Sequence, residues 1–276
     1  MELYSRTSFQ ISKLLTSRYS TSFGMSTRLF PVAMRQHIYA IYGMVRIGDE
    51  IVDTYRGSDA AKVLRDFEKE VYAALARGYS TNPVVHAFAM TATSYGITKD
   101  LIQPFFESMA MDLHPVEYDR QAYDTYIYGS AEVVGLMCLR IFCEGDDELY
   151  QRLEKGARAL GAAYQKVNFL RDIAADYKEL GRLYFPGTRY ESFNESAKAR
   201  IIKEIKKDFT EADKAIVLLP QSAKKAVSLS VAYYGRLLKK IERTPAETLK
   251  VKRIRISNAQ KTRLLATHTL RRTKVA

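Results

Sequence analysis

Apolar residues recur along most of this chain at the i, i+3, i+4 spacing of helices that bury one face. The pattern predicts helices at about 5–18, 31–54, 58–77, 82–93, 98–110, 119–128, 130–143, 147–179, 194–207, 211–218, 220–243 and 257–270. Pro31 suits a first helical turn, and the clearest loop punctuation is "FPGT" at 185–188. No stretch alternates apolar and polar residues for the length of a useful strand, no solenoid-length repeat occurs, and no Gly/Ser linker divides the chain. Only 14 glycines and 7 prolines punctuate 276 residues. The expectation is an all-α fold in a single domain over 1–276, long enough to bury a sizeable core.

Two of these helices carry a polar stripe on a mostly apolar surface. In the first, Arg35, Tyr39, Tyr42, Arg46, Asp49 and Asp53 share a face, ending in "RIGDEIVDTYRG". In the second, "ARALGAAYQKVNFLRDIAADYKELGRLYFP", Gln165, Asn168, Asp172 and Asp176 fall at i, i+3, i+7 and i+11. Ala162, Val167, Phe169 and Ile173 occupy its other faces. A stripe facing solvent needs no further explanation. One facing inward does, because unpaired buried amides and carboxylates cost kcal/mol each. Each stripe ends in D-x-x-x-D with an arginine beside it, Arg46 or Arg171. Carboxylates at i, i+4 can converge on a hard cation, and Mg²⁺ takes one or two of them while water and phosphate oxygens fill its other positions. Two facing pairs would clamp a diphosphate through Mg²⁺, with Mn²⁺ as a substitute, and arginines would take the free oxygens.

Composition, at 47% hydrophobic and 27% charged, is that of an ordinary globular protein. The net charge of +12 asks for an acidic partner. Much of it lies in a basic C-terminal segment, 250–276, where Lys250, Lys252, Arg253, Arg255, Lys261, Arg263, Arg271, Arg272 and Lys274 follow the last acid, Glu247. The segment has no aromatic residue on which a base could stack, so nucleic acid is not expected; an anionic membrane surface fits its charge. No apolar run approaches the roughly 20 residues of a membrane span, and "MELYSRTSFQ" has no apolar signal core. Cys138 and Cys143 suit neither a zinc site nor a disulfide framework, and His37, His86, His114 and His268 form no metal set. A cytoplasmic protein, peripheral on the inner face of the membrane and monomeric, is expected.

Several segments together resemble the squalene and phytoene synthases, which join two prenyl diphosphates head to head. "YSTSF" at 19–23 resembles the family's Ser-x-Ser-Phe stretch, "IYAIYGMVRIGDEIVD" its first aspartate-rich motif, and "YQKVNFLRDIAADYKELGRLYFP" its second with the following loop. "YIYGSAEVVGLM" is similar to the helix lining its prenyl tunnel, and "YYGRLLKKI" and "VKRIRIS" to its C-terminal tyrosine and arginine segments. The resemblance implies a helical bundle of the isoprenoid synthase type around a central cavity. It implies Mg²⁺ on Asp49, Asp53, Asp172 and Asp176, supported by Asn168 and Gln165. It places Arg46, Arg171, Arg253, Ser20 and Ser22 on diphosphate, Tyr234 beside it, and Phe23, Tyr42, Val134 and Gly135 along the hydrocarbon channel.

Two positions depart from the family pattern. Thr21 stands where some members carry a basic residue, and Glu132 where many have glycine, so Glu132 must face a cation, metal-bound water or solvent. Tyr39, Tyr42, Tyr126 and Tyr128 fit a core stripe as well as a cation-stabilising one, and Arg140 is expected to pair with an acid.

The implied reaction is the Mg²⁺-dependent condensation of two geranylgeranyl diphosphates to phytoene, through a cyclopropylcarbinyl diphosphate. The alternatives are a dehydrosqualene or squalene synthase using two farnesyl diphosphates, and a non-catalytic assembly factor of the same fold, which would be expected to lose the aspartates. No G-x-G-x-x-G fingerprint occurs, so NADPH is not expected. Small or flexible Ala131, Val134, Gly135 and Met137 favour the longer substrate, with Phe23 and Tyr42 the candidates to close the tunnel from across the cavity.

Overall fold

Each acidic pair lies near the C-terminal end of a long helix, and those two helices organise the rest. A computed structural model describes residues 2–55, 57–114 and 118–270. Among the described residues there is no strand. Helix α1 (Glu2–Tyr19) and the short α2 (Thr21–Thr27) lead into α3 (Val32–Asp53), followed by α4 (Ala60–Arg77), α5 (Pro83–Tyr95) and α6 (Lys99–Met111). Helix α7 (Arg120–Ile127) passes through a π turn (Tyr128–Glu132) into α8 (Val133–Cys143). The longest helix, α9 (Asp147–Leu180), precedes α10 (Glu195–Ile216), α11 (Gln221–Glu242), α12 (Ala246–Leu249) and α13 (Asn258–Leu270). The fold is all-α among the described residues, as the helical spacing predicts.

Local chemistry explains the helix ends. Asp146 caps α9 by accepting from the Leu149 N–H at 2.9 Å, and Asn194 caps α10 by accepting from Ala197 at 3.0 Å. At the other end of α9, Gly181 adopts a left-handed φ of 66°, which a residue with a Cβ resists, and so turns the chain sharply back towards α3.

The structure corrects four boundaries. The segments at 119–128 and 130–143 form one continuous helical path, because the π turn absorbs an extra residue rather than breaking the helix. Gly129 permits this packing: a Cβ there would stand 2.1 Å from the Pro104 carbonyl of α6. The segments at 194–207 and 211–218 are also one helix. Their polar junction stays helical because its polar groups are paired with neighbouring helices: Asp208 accepts from the buried Lys166 ammonium of α9 at 2.7 Å and Lys206 pairs with Glu242 of α11 at 2.5 Å. Two short helices, α2 and α12, lie in segments read as loop. Finally, the joined helix Arg120–Cys143 is long and apolar enough to cross a bilayer by length and composition, unlike any run expected from the sequence. Half of its apolar window is buried inside the protein, where it walls the cavity.

Two apolar clusters fill the bundle. One gathers α3, α5, α6 and α8 around Met44, Phe88, Phe105 and Met137; the other gathers α9, α10 and α11 around Val167, Ile205, Leu229 and Ile241. Between them lies a cavity of 540 Å³, within the roughly 300–1,000 Å³ of ordinary ligand pockets.

Candidate active site

The cavity runs along α3 and α9, which fixes its two ends. Asp49 and Asp53 on α3 and Asp172 and Asp176 on α9 line one end. Phe30 just before α3, and Leu153 near the start of α9, line the other. At 1.5 Å per residue the ends are about 30 Å apart along either helix.

Every site residue expected from the sequence lines this cavity except Ser22 and the tunnel candidate Met137, whose side chain is buried in the core instead. Ser20 caps α2, its hydroxyl accepting from the Phe23 N–H at 3.3 Å, and faces the cavity. Phe23 and Tyr42, the candidates to close the tunnel, both line the cavity. Their rings stack at 5.1 Å and make one wall, while the far end is closed by the Phe30–Phe142 stack at 5.2 Å. The α3 stripe also divides: Tyr42, Arg46, Asp49 and Asp53 face the cavity, whereas Tyr39 is buried elsewhere and Arg35 donates to the Arg28 and Phe30 carbonyls at 2.7 and 2.9 Å.

At the acidic end, the arginines hold the carboxylates in place. Asp172 receives Arg171 at 2.6 Å and the Arg253 Nε at 2.7 Å. Asp49 lies 3.6 Å from Arg46, which also donates to Glu50 and sits 4.4 Å over the Tyr19 ring. Burial pushes the Asp49 carboxyl up to about 7 against the pull of Arg46. Burial, and then the charges of Asp172 and Asp53, push Asp176 up to about 8. Both pairs thus line the same end of the cavity.

Behind Asp53 is a buried network that the sequence stripes did not reveal. Arg182, only 8% exposed, donates to Asp53 at 2.6 Å, to the Val52 carbonyl at 3.0 Å and to the Asp112 carbonyl at 2.7 Å. The Asp112 carboxylate accepts from Tyr126 at 2.6 Å and Tyr184 at 3.0 Å, with the Arg182 Nε at 3.5 Å. Tyr184 in turn stacks on Phe169 at 4.0 Å. One signal was available: Asp112, like Asp49 and Asp53, is an acid at the end of an apolar helix.

Other expectations resolve simply. Glu132 faces a cation, accepting from Arg158 at 2.7 Å. Arg140 pairs with Asp147 at 2.5 Å and lies over Tyr150. Tyr126 is core, and Tyr128 meets the Arg158 guanidinium. Tyr234 stacks on Tyr164 at 3.8 Å beside Gln165 on the cavity wall.

Among the described residues no three acidic, His or Cys side chains form a ready metal cage. The donor set nevertheless fits Mg²⁺, an ion held by one or two carboxylates and completed by phosphate and water. The Asn168 Oδ1 is buried without a hydrogen-bond partner at this same end, an acceptor able to ligate a metal and with nothing to satisfy it in the protein alone.

The squalene/phytoene synthase family matches residues 16–260 of this sequence. The chain belongs to that family. Squalene/phytoene synthases are prenyltransferase-type synthases acting on prenyl diphosphates, so the protein is an enzyme of that type. It is 29% identical to a phytoene synthase of Arthrospira platensis over 86% of this chain and 84% of that one. It is 30% identical to a 4,4'-diapophytoene synthase of Staphylococcus haemolyticus over 72% and 68%. A ligand-bound dehydrosqualene synthase superposes with a TM-score of 0.80 over 97% of both chains at 20% identity. A squalene synthase from Alicyclobacillus acidocaldarius does so at 0.76, over 87% and 95%, with 24% identity. These superpositions establish the isoprenoid synthase fold.

Proposed function

We propose that this enzyme condenses two geranylgeranyl diphosphates head to head into phytoene, within carotenoid biosynthesis. The observation that supports C20 over C15 is the length of open tunnel beyond the acidic end. Its walls are apolar, Val134, Leu139, Leu160 and Ile216 among them, as far as the Phe30–Phe142 stack at the other end. Each methylene buried there returns about 0.8 kcal/mol, so an apolar tunnel of this length favours the longer chain. Equimolar C15 and C20 diphosphates, supplied together without NADPH, should give C40 hydrocarbon in excess; an excess of C30 product overturns the choice of substrate.

In this reading Asp49, Asp53, Asp172, Asp176 and Asn168 hold Mg²⁺. When bound, the ion supplies positive charge to a departing diphosphate. Arg46, Arg171 and Arg253 take the remaining phosphate oxygens, and Ser20 lies at the same mouth. Ionisation leaves an allylic cation, which the second substrate's double bond attacks to form the cyclopropylcarbinyl diphosphate. That intermediate ionises, rearranges and loses a proton, for which the released diphosphate is the acceptor. The apolar walls exclude water that would otherwise capture the cations as alcohols. The faces of the Phe23–Tyr42 and Tyr164–Tyr234 stacks can stabilise them, by up to about 2 kcal/mol each.

Metal binding should depend on pH. Asp49 and Asp176 ionise at about 7 and 8, and each must release its proton to take a cation. Mg²⁺ affinity is therefore expected to rise between pH 6 and 8, with proton release on binding, in titration calorimetry run in buffers of different ionisation enthalpy. An affinity flat across that range removes these two carboxylates from the metal site.

The enzyme is further proposed to work in the cytoplasm, peripherally on an anionic membrane surface, since substrate and product are both greasy. Arg253 sits at the cavity mouth on Asp172. The outermost tail charges, Arg271, Arg272 and Lys274, lie outside the described residues.

A further inference from the structure

The closed end of the cavity is bounded by segments that also carry unusually exposed apolar side chains. Phe30, Phe142, Leu153, Ile216 and Leu219 line that end. Between Ile216 and Leu219, in the α10–α11 turn, Val217 is 61% exposed and Leu218 49% exposed. Two residues after Phe30, Val32 is 77% exposed. The same short stretches thus present one set of apolar side chains to the cavity and another to the outside. We propose that this end of the molecule docks on a lipid bilayer, with Val217, Leu218 and Val32 entering the acyl boundary. The proposal rests on the hydrocarbon-forming reading above and names the surface through which that reading's product would reach the membrane.

The backbone of the turn is suited to a place of low polarity. The Leu218 N–H donates to Ala215 at 2.9 Å and the Leu219 N–H to Ile216 at 3.3 Å. Pro220 has no N–H, and its carbonyl accepts from Ala223 at 3.0 Å and Lys224 at 2.9 Å. The Val217 carbonyl is taken by the Lys224 ammonium at 2.6 Å. Unpaired peptide groups are what make irregular backbone costly in lipid, and here the Leu218 and Leu219 N–H groups and the Val217 and Pro220 carbonyls are paired.

Charge around the patch points to lipid. From Thr27 to His37 the chain carries Arg28 and Arg35 and no acid; from Ala215 to Lys225 it carries Lys224 and Lys225 and no acid, while Lys214 just before is paired with Glu211 at 2.6 Å. Three apolar side chains with cations near them in sequence make a small contact, well below the roughly 800 Å² per partner of a stable protein interface. Such a contact suits an interfacial anchor, in which apolar side chains enter the boundary and Lys and Arg heads stay with anionic headgroups. The third turn at this end, Glu144–Asp147, is acidic, and Arg140 ties Asp147. The contact therefore centres on the α2–α3 and α10–α11 connections.

Flotation of the full chain with vesicles of equal parts phosphatidylglycerol and phosphatidylcholine tests this. The unaltered chain should rise with the vesicles. Val217→Glu with Leu218→Glu should lower the bound fraction by about tenfold or more, since two apolar anchors become charges. Val32→Glu should lower it less. Because all three side chains point outward, melting temperature and turnover in detergent should stay at the wild-type level. A triple variant, Arg271→Glu, Arg272→Glu and Lys274→Glu, should still float. Wild-type flotation by the double variant overturns the proposal, as does loss of flotation in the tail variant alone. A wild-type chain that ignores vesicles also overturns it; if that chain self-associates on size exclusion and the double variant does not, the patch belongs to a second copy. Failure of the reaction assignment is read separately, as absence of C40 product in detergent whatever the flotation result.

Discussion

Changing Asp172 to Asn is expected to lower turnover by about a thousandfold while leaving the fold intact, a loss of about 4 kcal/mol of transition-state stabilisation. Two effects combine in that figure. The carboxylate is one of the four proposed to hold the metal, and a neutral amide is a poorer donor to a hard cation. It is also the group on which Arg171 and Arg253 converge, at 2.6 and 2.7 Å. With the charge removed, both guanidiniums lose the partner that positions them at the cavity mouth. Asp49→Asn should show a comparable loss through the first effect alone, because its contact with Arg46 is longer, at 3.6 Å. Steady-state turnover of a C20 diphosphate at saturating Mg²⁺, with thermal melting as the folding control, measures both. Near-normal turnover in either folded variant sinks the metal assignment.

The parts of the molecule that the sequence made legible are those where one helix carries the whole message. The stripes on α3 and α9 are periodic within a single element, so Asp49, Asp53, Asp172 and Asp176 could be placed on faces without knowing what they face. Wherever the message is shared between distant segments, it was lost. Arg182 means little in "GRLYFP" until Gly181 turns the chain back and sets the guanidinium between Asp53 and Asp112. Asp112 is a lone acid until Tyr126 and Tyr184 meet it. The π turn at 128–132 keeps helical spacing on either side and reads as a gap, because its cause lies across the interface at the Pro104 carbonyl. Helix α2 was missed for a different reason. "TSFGMST" is poor in helix formers, and its short turn depends on the Ser20 cap and on packing against α11 and α1. Ser22 was placed with Ser20 by motif alone, yet within that helix the two hydroxyls need not share a face, and only Ser20 lines the cavity.

Arg182 should matter to stability as much as any catalytic group matters to rate. Its guanidinium is nearly buried and satisfies two backbone carbonyls, of Val52 and Asp112, and the Asp53 carboxylate, with the Asp112 carboxylate at 3.5 Å. Arg182→Ala removes the cation and leaves Asp112 buried, a situation that typically costs about 3–5 kcal/mol. Burial already holds the Asp112 carboxyl up to about 6, with Arg182 the first of the groups that pull it down. Without Arg182 it rises further. A carboxyl whose folded pKa exceeds its unfolded value near 3.8 costs stability as the pH rises, and wild type and variant share that cost from about pH 4 to 6; the deficit of the variant should therefore be smallest in acid and grow as the pH rises above about 6, where only the wild-type Asp112 has finished ionising. Asp112→Asn added to Arg182→Ala removes the uncompensated charge and should recover a large part of the loss at neutral pH, as a positive coupling in a double-mutant cycle. Urea denaturation of the two single variants and the double, at acid and neutral pH, reads all three effects. A cost below about 1 kcal/mol for Arg182→Ala at neutral pH, or a double variant no more stable than that single one, would show that Asp53 is held in place by something other than this network.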